Sequence, residues 1–451
     1  MAEHAANGLW RASPHLSAKR VVTGSQQRAG LRIFASLGVA GLLWPLSLVL
    51  GLCLCGSILF ALSFLLRFYL AHMRGERRAA PRLTGQADVL LPVYTLLVAL
   101  KDEATCAQQL ATAIRLLDYP ASKLDVKLLV EASDTATQRA LAAETWPTGT
   151  ELVIVPPGIP QTKPRALNYG LARARGEFVV VYDAEDQPDA QQLRAAVSAF
   201  AQGGGHLACV QAPLIGDAAG QGWLSGQWAL EYAVQFGAVL PAMARLGLPI
   251  MLGGTSNHFR RRALQDAGGW DAWNVTEDAD LGLRLARMGL RVGIIQPSTL
   301  ELPPQTLDVW IAQRSRWLKG FMQTWLVMMR DPVDAWRTLG WVRFGAVQLT
   351  LGASILAALI HGPWALWCLM CIVLPHVQLG AFTGGVCAMS ILGGILVSLR
   401  GGRAARLGLL ASLVFYWPLQ TLAAWRAVYG LIRSPHFWAK TPHVSRAAVE
   451  K

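Results

Sequence analysis

Two long stretches of the chain, residues 33–66 and 343–431, consist largely of apolar residues and carry few charges. A helix needs about 20 apolar residues to cross a bilayer. The first stretch therefore fits an interfacial piece before Pro45 followed by one span near 46–66, and it also fits a tight helical hairpin. The second stretch predicts four spans, near 343–361, 364–380, 382–399 and 407–431.

The polar part of the chain between these stretches alternates short apolar runs with amphipathic segments. The apolar runs lie at 95–100, 126–130, 151–155 and 178–182. The amphipathic segments lie at 103–117, 135–145, 164–175 and 189–202. Uninterrupted apolar strands alternating with helices are typical of a mostly parallel sheet covered on both faces. The pattern therefore predicts an α/β domain, in which ligands bind beyond the carboxyl ends of the strands.

These patterns divide the chain into five parts. They are a basic tail at 1–32, a membrane segment at 33–70, an α/β domain at 88–335 that ends in interfacial helices, membrane helices at 340–432 and a basic tail at 433–451. The first 30 residues are polar and basic, and they lack the short apolar core of a cleavable signal peptide. We expect them to form a partly disordered tail before the first membrane helix.

The composition agrees with a membrane protein that carries one polar domain. Hydrophobic residues make up 53% of the 451 residues and charged residues only 15%, with a net charge of +13. Basic residues follow the first apolar stretch directly, at Arg67, Arg74, Arg77, Arg78 and Arg82, as in the cytoplasmic flanks of membrane helices. A nucleic-acid-binding protein would instead place basic residues on a soluble face, so we expect no nucleic-acid partner. The seven cysteines have no framework spacing, and we expect them to be reduced.

Acidic residues follow three of the four predicted strands. Asp102 follows the first, Glu131 the second, and Asp183, Glu185 and Asp186 the fourth. Because the carboxyl ends of parallel strands meet at one edge of a sheet, we expect these side chains to share one site. Two carboxylates one residue apart can chelate Mg²⁺ or Mn²⁺, and such an ion would neutralise a diphosphate leaving group. An isolated Asp-x-Glu is also typical of an ordinary solvated loop.

A second acidic group, Glu277 and Asp278, precedes an amphipathic helix. One interpretation is a helix start with Thr276 as N-cap, where acidic residues are favoured. The other makes Asp278 a general base that takes a proton from an acceptor hydroxyl, in a dry site that raises its pKa. Lys163 and Arg165, at the start of another predicted helix, are candidate donors to a diphosphate.

The third group of candidate residues is Gln313-Arg-Ser-Arg316-Trp317. On a helix, Gln313, Arg316 and Trp317 lie at i, i+3 and i+4 and share a face. That face offers an amide, a guanidinium for phosphate and an indole for the apolar face of a sugar. The same pattern is typical of an amphipathic helix on a membrane surface, and the two interpretations are compatible.

The ordered acidic residues followed by Gln-x-x-Arg-Trp resemble the membrane-bound family 2 glycosyltransferases with the GT-A fold, which include cellulose, chitin, hyaluronan and curdlan synthases. The resemblance covers about residues 90–335, and the apolar stretches on either side agree with it. The motifs depart from the family pattern in three places. Glu131 stands where Asp is usual, Ala132 follows where a second Asp is common, and the metal motif reads Asp-Ala-Glu instead of Asp-x-Asp. The last departure leaves either Glu185 or Asp186 as the second ligand.

The resemblance implies a role for each candidate residue. The substrate-binding residues would be Asp102 and Glu131 beside the uridine, Lys163 beside the diphosphate, and Gln313, Arg316 and Trp317 at the diphosphate and the acceptor end of the glycan. The metal ligands would be Asp183 with Glu185 or Asp186, and the catalytic residues would be Asp278, as base, and Glu277. Residues 437–441 resemble the gating loop of cellulose synthases, and they also fit a basic tail anchored after a membrane helix.

We expect from this a processive, inverting glycosyltransferase that polymerises a β-linked polysaccharide from a UDP-sugar and exports it across the membrane. Its partners would be the UDP-sugar donor, the growing glycan acceptor, the lipid bilayer and accessory export proteins. Its location would be the bacterial inner membrane, multi-pass, with the catalytic domain in the cytoplasm. The alternative is a non-processive transferase that adds one sugar to a lipid-linked acceptor. A membrane scaffold with a degenerate transferase domain is a third interpretation, which the intact Asp183, Asp278 and Arg316 disfavour.

Overall fold

The computed structural model describes residues 1–76, 85–217, 222–373 and 381–438. Its helices are α1 Ala2–Ala12, α2 Gly24–Leu43, α3 Pro45–His72, α4 Ala107–Arg115, α5 Thr135–Ala142, α6 Lys163–Leu171, α7 Gln192–Gly203, α8 Trp223–Val234, α9 Leu240–Leu246, α10 Arg261–Asp266, α11 Glu277–Arg287, α12 Leu307–Met328, α13 Pro332–Leu339, α14 Trp341–Val347, α15 Ala353–Val373, α16 Ala381–Ser398, α17 Leu407–Ala411, α18 Leu413–Tyr416 and α19 Leu419–Arg433. Its strands are β1 Tyr94–Leu100, β2 Leu124–Glu131, β3 Thr150–Val155, β4 Phe178–Tyr182, β5 Gln187–Pro188, β6 Leu207–Gln211, β7 Leu214–Gly216, β8 Asn257–Arg260, β9 Arg291–Ile294 and β10 Thr299–Glu301. Arg77, Arg78 and Arg82 of the predicted basic flank lie outside the described residues.

Seven strands form the central sheet, in the order β3-β2-β1-β4-β8-β6-β9. The first four run parallel to one another, and β8 runs antiparallel to both β4 and β6. Strands β1 to β4 lie at the four apolar runs of the sequence, because strands buried on both faces are apolar throughout. The prediction of a mostly parallel α/β sheet is therefore confirmed. A small second sheet has the order β5-β10-β7.

Alternate residues of these strands pack on opposite faces of the sheet. Leu97 and Val179 belong to the apolar core on one face, and Leu96 and Val180 belong to the core on the other. Each buried apolar side chain contributes roughly 1.5–3 kcal/mol relative to exposure. The two cores hold the carboxyl ends of β1, β2 and β4 in a fixed arrangement, which positions the acidic residues that follow them.

Three helices in the described parts of the chain are long and apolar enough to cross a membrane: Pro45–His72, Trp341–Leu366 and Gly384–Ala404. The first contains the span predicted near 46–66. The predicted break between 361 and 364 is wrong, because α15 continues through Pro363 as one helix. The segment predicted as one span at 407–431 is divided into α17, α18 and α19, and α19 packs against α12.

The segment before Pro45 is a separate helix, α2, and not the first arm of a tightly packed hairpin. None of its residues is buried. Its N-terminus is fixed by a capping box between Thr23 and Gln26, and the Gln26 amide also donates to the Leu326 carbonyl of α12 at 2.8 Å. The exposed apolar residues of α2 suit a helix that lies in a membrane interface.

The expectation of a partly disordered N-terminal tail is wrong. Helix α1 packs on α6 and buries Ala5, Ala6 and Leu9. The Ser17 hydroxyl then donates to Asp271, 254 residues away, at 3.0 Å. The side chain of Arg330 donates to the backbone carbonyls of Pro14, His15, Ser17 and Arg20. The local composition concealed this order because the stabilising partners are all distant in sequence.

Candidate active site

A cavity of about 880 Å³ lies at the carboxyl edge of the parallel strands and continues between the membrane helices. At the sheet, its lining includes acidic and basic side chains from the last residue of β2 and from the loops after β1 and β4. Further along, the lining comes from α11 and α12, and then from α3, α15 and α16. One continuous space therefore connects the predicted catalytic residues with the part of the molecule that is built for a bilayer.

The loop after β4 supplies two carboxylates to this cavity. Asp183 and Glu185 both line it. The Lys163 ammonium group donates to Asp183 and, at 2.8 Å, to the carbonyl of Gly254. Burial lowers the pKa of Lys163, but the carboxylates of Asp183 and Glu277 outweigh this effect and hold that pKa above its usual value. Lys163 is therefore a permanent cation at the edge of the acidic group.

Asp186, the third predicted ligand, has a different environment. It is only 2% exposed and accepts hydrogen bonds from the Asp183 backbone amide, at 2.7 Å, and from the Thr255 hydroxyl. Burial and the neighbouring carboxylates of Asp183 and Glu185 raise its pKa well above the usual value. Asp186 thus fixes the shape of the loop, whereas Asp183 and Glu185 face the cavity.

A divalent cation fits this donor set only in part. Within the described residues, no group of three or more His, Cys, Asp or Glu side chains is close enough to hold a metal ion. Asp183 and Glu185 supply carboxylate oxygens, which Mg²⁺ and Mn²⁺ prefer. Mg²⁺ is commonly held by one or two carboxylates together with substrate phosphates, and the pair agrees with that arrangement.

Glu277 and Asp278 begin α11 and also line the cavity. Burial, and next the Asp278 carboxylate, raise the pKa of Glu277 to about 7, while Lys163 acts in the opposite direction. Burial likewise raises the pKa of Asp278, and the Ala279 amide that donates to its carboxylate at 2.8 Å limits that rise. Thr276 occupies the N-cap position, but its hydroxyl makes no capping hydrogen bond. The acidic pair is thus more than an ordinary helix start.

Helices α11 and α12 approach each other closely beside this pair. A Cβ atom at Gly320 would overlap the Thr276 side chain, so only glycine permits the observed distance between the two helices. The contact brings the start of α11 and the middle of α12 to the same cavity. Residues 277–278 and 313–317 therefore face one space although they are distant in sequence.

The predicted shared face of α12 is present, and Gln313, Arg316 and Trp317 all line the cavity. The Gln313 side-chain oxygen accepts a hydrogen bond from the Trp228 indole at 3.0 Å. Burial lowers the pKa of Arg316, and the nearby Glu277 and Asp183 carboxylates oppose that effect. The Arg316 guanidinium is thereby placed at the acidic end of the cavity.

Trp317, on the same face of α12, contacts a different set of side chains. Its ring stacks on Tyr232 with a centroid distance of 6.2 Å, and the Arg314 guanidinium lies 4.7 Å from the ring centroid. Arg314 in turn donates two hydrogen bonds to Glu231, at 2.8 and 2.7 Å. The indole is therefore held in place by an aromatic ring and a cation that is itself neutralised.

Two residues predicted beside the nucleotide lie at the ends of β1 and β2, at the same edge of the sheet as Asp183. Glu131 is 6% exposed and lines the cavity, but its carboxylate accepts two hydrogen bonds of 2.8 Å from Arg165. Arg165 is a candidate hydrogen-bond donor to the diphosphate, but its guanidinium is paired with Glu131. Asp102 is exposed, with a backbone φ of +52°, and its neighbours Lys101 and Glu103 line the cavity.

Sequence reasoning missed two carboxylates that line the cavity. Glu301 ends β10, and burial together with Asp186 and Asp183 raises its pKa well above the usual value. Glu231 lies in the middle of α8. Neither belongs to an acidic group in the sequence. The one feature of the sequence that could have indicated Glu301 is its position at a strand end just before Pro303 and Pro304.

The C-terminal segment covers part of α12. The Lys319 ammonium group donates to the Phe437 carbonyl at 2.7 Å, and the Gln323 amide donates to the Pro435 carbonyl at 3.1 Å. The Trp438 ring lies 5.3 Å from the Arg316 guanidinium and lines the cavity. The later residues of the predicted gating loop, Lys440 and Thr441, lie outside the described residues.

The parallel strands, the antiparallel β8 and the acidic loop after β4 define a GT-A glycosyltransferase fold. The structure is similar to that of a mannosyltransferase from Pyrobaculum calidifontis solved in complex with GDP-Man and Mn²⁺, with a TM-score of 0.55 and 20% sequence identity. The similarity covers 85% of this chain and 98% of that one. At this identity the likeness concerns the fold alone.

Residues 178–424 match the model of the glycosyl transferase family group 2, and the chain belongs to that family. It is 28% identical over 296 residues to a beta-monoglucosyldiacylglycerol synthase of Synechocystis, covering 63% of this chain and 60% of that protein. A protein of the same name from Trichormus variabilis is 26% identical, covering 79% of this chain and 75% of the relative. The cellulose synthase catalytic subunit of Xanthomonas axonopodis pv. citri is 26% identical, covering 65% and 39%. The predicted family and GT-A fold are therefore confirmed.

Proposed function

We propose that the protein transfers one hexose from a UDP-sugar to a lipid acceptor held in the membrane. The observation that carries this proposal is the continuous cavity. Beyond the acidic residues, its lining includes Phe60, Phe64 and Leu70 of α3 and Val397 of α16. These apolar side chains suit acyl chains, and the polar side chains among them, such as Ser63 and Arg67, suit a lipid headgroup. The names of the Synechocystis and Trichormus relatives agree with a lipid acceptor.

In the proposed reaction Asp278 is the general base. It takes the proton of the acceptor hydroxyl while that oxygen attacks the anomeric carbon of the sugar. The bond from that carbon to the diphosphate breaks on the opposite face, so the configuration inverts and UDP leaves. Burial raises the pKa of Asp278 towards the range that this role requires. The raised pKa supports the assignment because a base works best near its operating pH.

The donor side of the proposal uses residues from both halves of the site. Lys163 and Arg316 would hold the diphosphate oxygens, and Asp102 and Glu131 would lie beside the uridine. Asp183 and Glu185 would hold a Mg²⁺ or Mn²⁺ ion, which when bound neutralises the charge of the leaving diphosphate. A UDP donor is supported by the name of the Xanthomonas relative, a UDP-forming enzyme.

We further propose a multi-pass protein of the bacterial inner membrane with its α/β domain in the cytoplasm. The three apolar helices support this placement. Arg67 near the end of α3 and Arg74 just after it also support this placement, since basic residues accumulate on the cytoplasmic side.

The second candidate function is processive synthesis of a β-linked glycan. It is favoured by the position of Gln313, Arg316 and Trp317 on one cavity-lining face and by the cellulose synthase among the relatives. In that case the acceptor would be the growing glycan, and accessory export proteins would be expected partners.

The test is product analysis with the purified protein in detergent micelles, with Mg²⁺ or Mn²⁺, a panel of labelled UDP-sugars and added membrane lipids. Label in a single lipid-extractable product supports the proposal. Label in a long glycan that a glycosidase digests would replace it with processive synthesis. Asp278→Asn should abolish transfer and keep UDP binding, while Asp266→Asn, an exposed carboxylate on α10, should behave as the unaltered protein.

A further inference from the structure

Among the described residues of the three candidate membrane helices, Arg67 is the one charged residue that lines the cavity. It lies near the end of α3, where a basic residue often anchors a helix at the lipid surface. Arg67 is exposed, and the periodicity of α3 places it on the face that lines the cavity. Phe60, Ser63, Phe64 and Arg67 follow one another at helical spacing and all line the cavity. The outward face carries exposed apolar residues such as Leu65.

The positive charge of Arg67 has no neutralising partner among the described residues, because its guanidinium makes no hydrogen bond or ion pair there. The carboxylate that acts on it through space is Glu231. That carboxylate already accepts two hydrogen bonds from Arg314 and one, at 3.0 Å, from the Tyr416 hydroxyl. With Glu231 and Arg314 neutralising each other, one net positive charge remains on this wall of the cavity.

Ser63 lies one helical turn before Arg67 on the same face. Its hydroxyl oxygen is buried and has no hydrogen-bond partner in the described structure. Of the four other hydroxyl residues that line the cavity from the membrane helices, which include Ser398, three donate to the carbonyl one turn earlier, at 2.7–2.8 Å. These three are Thr350, Ser354 and Ser390. Ser63 therefore offers a donor that its own helix does not use.

We propose that Arg67 and Ser63 bind the phosphate group of an anionic acceptor lipid inside the cavity. A guanidinium and a hydroxyl one turn apart supply charge-assisted and neutral donors to phosphate oxygens. The phenyl rings of Phe60 and Phe64, on the same face, contact the chains of the lipid. Charged residues on membrane helices that face a cavity mark substrate pathways. This inference rests on the proposed lipid acceptor and names its class, a lipid with a phosphate group.

The experiment measures sugar transfer by the full chain in maltoside micelles, which contain no phosphate. Three acceptors are compared: diacylglycerol, which is neutral, and phosphatidylglycerol and phosphatidylinositol, whose headgroup hydroxyls lie beyond the phosphate and can accept the sugar. The expected result is a higher kcat/KM for at least one phosphate-bearing lipid than for diacylglycerol. Whichever of the two is preferred identifies the source of the phosphate.

Arg67→Gln should reduce the ratio of kcat/KM for the preferred phosphate lipid over diacylglycerol by about tenfold or more, because hydrogen bonds to a charged group are lost. Arg67→Lys should restore part of that ratio, and Ser63→Ala should reduce it by a smaller factor. Arg74→Gln is the matched control, since Arg74 lies at the same end of α3 but does not line the cavity. An equal loss with both lipids, or the same loss in Arg74→Gln, would overturn the assignment.

A binding measurement separates this inference from the proposed function. Native mass spectrometry of the unaltered protein should retain a phosphate-bearing lipid that Arg67→Gln releases. If the protein produces only a long glycan and still retains that lipid through Arg67, the proposed function fails and the phosphate site stands. If sugar is transferred to lipids, and neither Arg67→Gln nor Ser63→Ala alters lipid retention or selectivity, the phosphate site fails and the proposed function stands.

Discussion

The Glu277–Asp278 pair predicts a defined pH dependence of activity. Burial raises the pKa values of both groups, and the Asp278 carboxylate adds to the rise for Glu277, whose pKa is about 7. The pair therefore retains one proton up to about neutral pH. Asp278 accepts the acceptor proton only when it is ionised, so kcat/KM should fall about tenfold per pH unit below the raised pKa of Asp278 and level off above it.

The informative perturbation is Glu277→Gln, which removes one charge and keeps the size of the side chain. Two unit charges about 6 Å apart at an effective dielectric constant of about 20 repel by about 3 kcal/mol. At about 1.4 kcal/mol for each pH unit, this equals a pKa change of about two. Lys163 still favours the ionised form of Asp278. The acidic limb of the profile should therefore move to lower pH, by at most about two units.

The assay is transfer from a labelled UDP-sugar. It measures kcat/KM over a pH range that includes the acidic limbs of the unaltered protein and of Glu277→Gln. Asp266→Asn, which removes an exposed carboxylate of α10, serves as the control and should keep the limb of the unaltered protein. The reasoning is refuted if Glu277→Gln leaves the limb in place. It is also refuted if Asp278→Asn retains activity with an unchanged profile, since another group would then be the base.

Three further predictions follow from the contacts described above. Asp183→Ala should weaken UDP binding in the presence of Mg²⁺ by at least about tenfold, and titration calorimetry with and without the ion would measure this; unchanged affinity would exclude Asp183 as a ligand. Trp317→Ala should raise the KM for the acceptor by about fivefold or more through loss of an aromatic contact, with Trp317→Phe retaining part of the effect; an altered UDP affinity instead would place the indole on the donor side. Arg330→Ala leaves four backbone carbonyls without their donor and should lower the stability by about 2 kcal/mol or more. Thermal unfolding and protease accessibility of residues 1–20 would detect this, with the exposed Arg337→Ala as control, and unchanged protection would mean that α1 alone holds the segment.

Much of the sheet could be predicted because its strands are buried on both faces. The runs at 95–100, 126–130, 151–155 and 178–182 lie within β1 to β4 or coincide with them. The carboxyl ends of parallel strands share one edge, so the convergence of Glu131 and Asp183 followed from their positions alone. The face shared by Gln313, Arg316 and Trp317 required only the helical repeat.

The remaining features depend on contacts between distant residues. Nothing near Glu131 indicated that Arg165 would occupy its carboxylate, and the sequence left Glu185 and Asp186 equivalent. The structure separates them because Thr255, from another loop, hydrogen-bonds to Asp186. Glu231 likewise acquires its role from Arg314, 83 residues later. A local pattern contains no information about such pairs.

The position of the Gln-x-x-Arg-Trp side chains bears on the choice between a glycan and a lipid acceptor. Gln313 accepts from Trp228, and Arg316 lies in the field of Glu277 and Asp183. Both side chains thus lie at the end of the cavity where the donor would react. A transferase needs that part of the site with a glycan acceptor and with a lipid acceptor alike. In the proposed function the acceptor is instead recognised further along the cavity, where Phe60, Ser63 and Arg67 offer an apolar ring, a hydroxyl group and a positive charge. The motif therefore bears on the transfer chemistry, and variants of the wall formed by α3 are the ones that test the proposed acceptor.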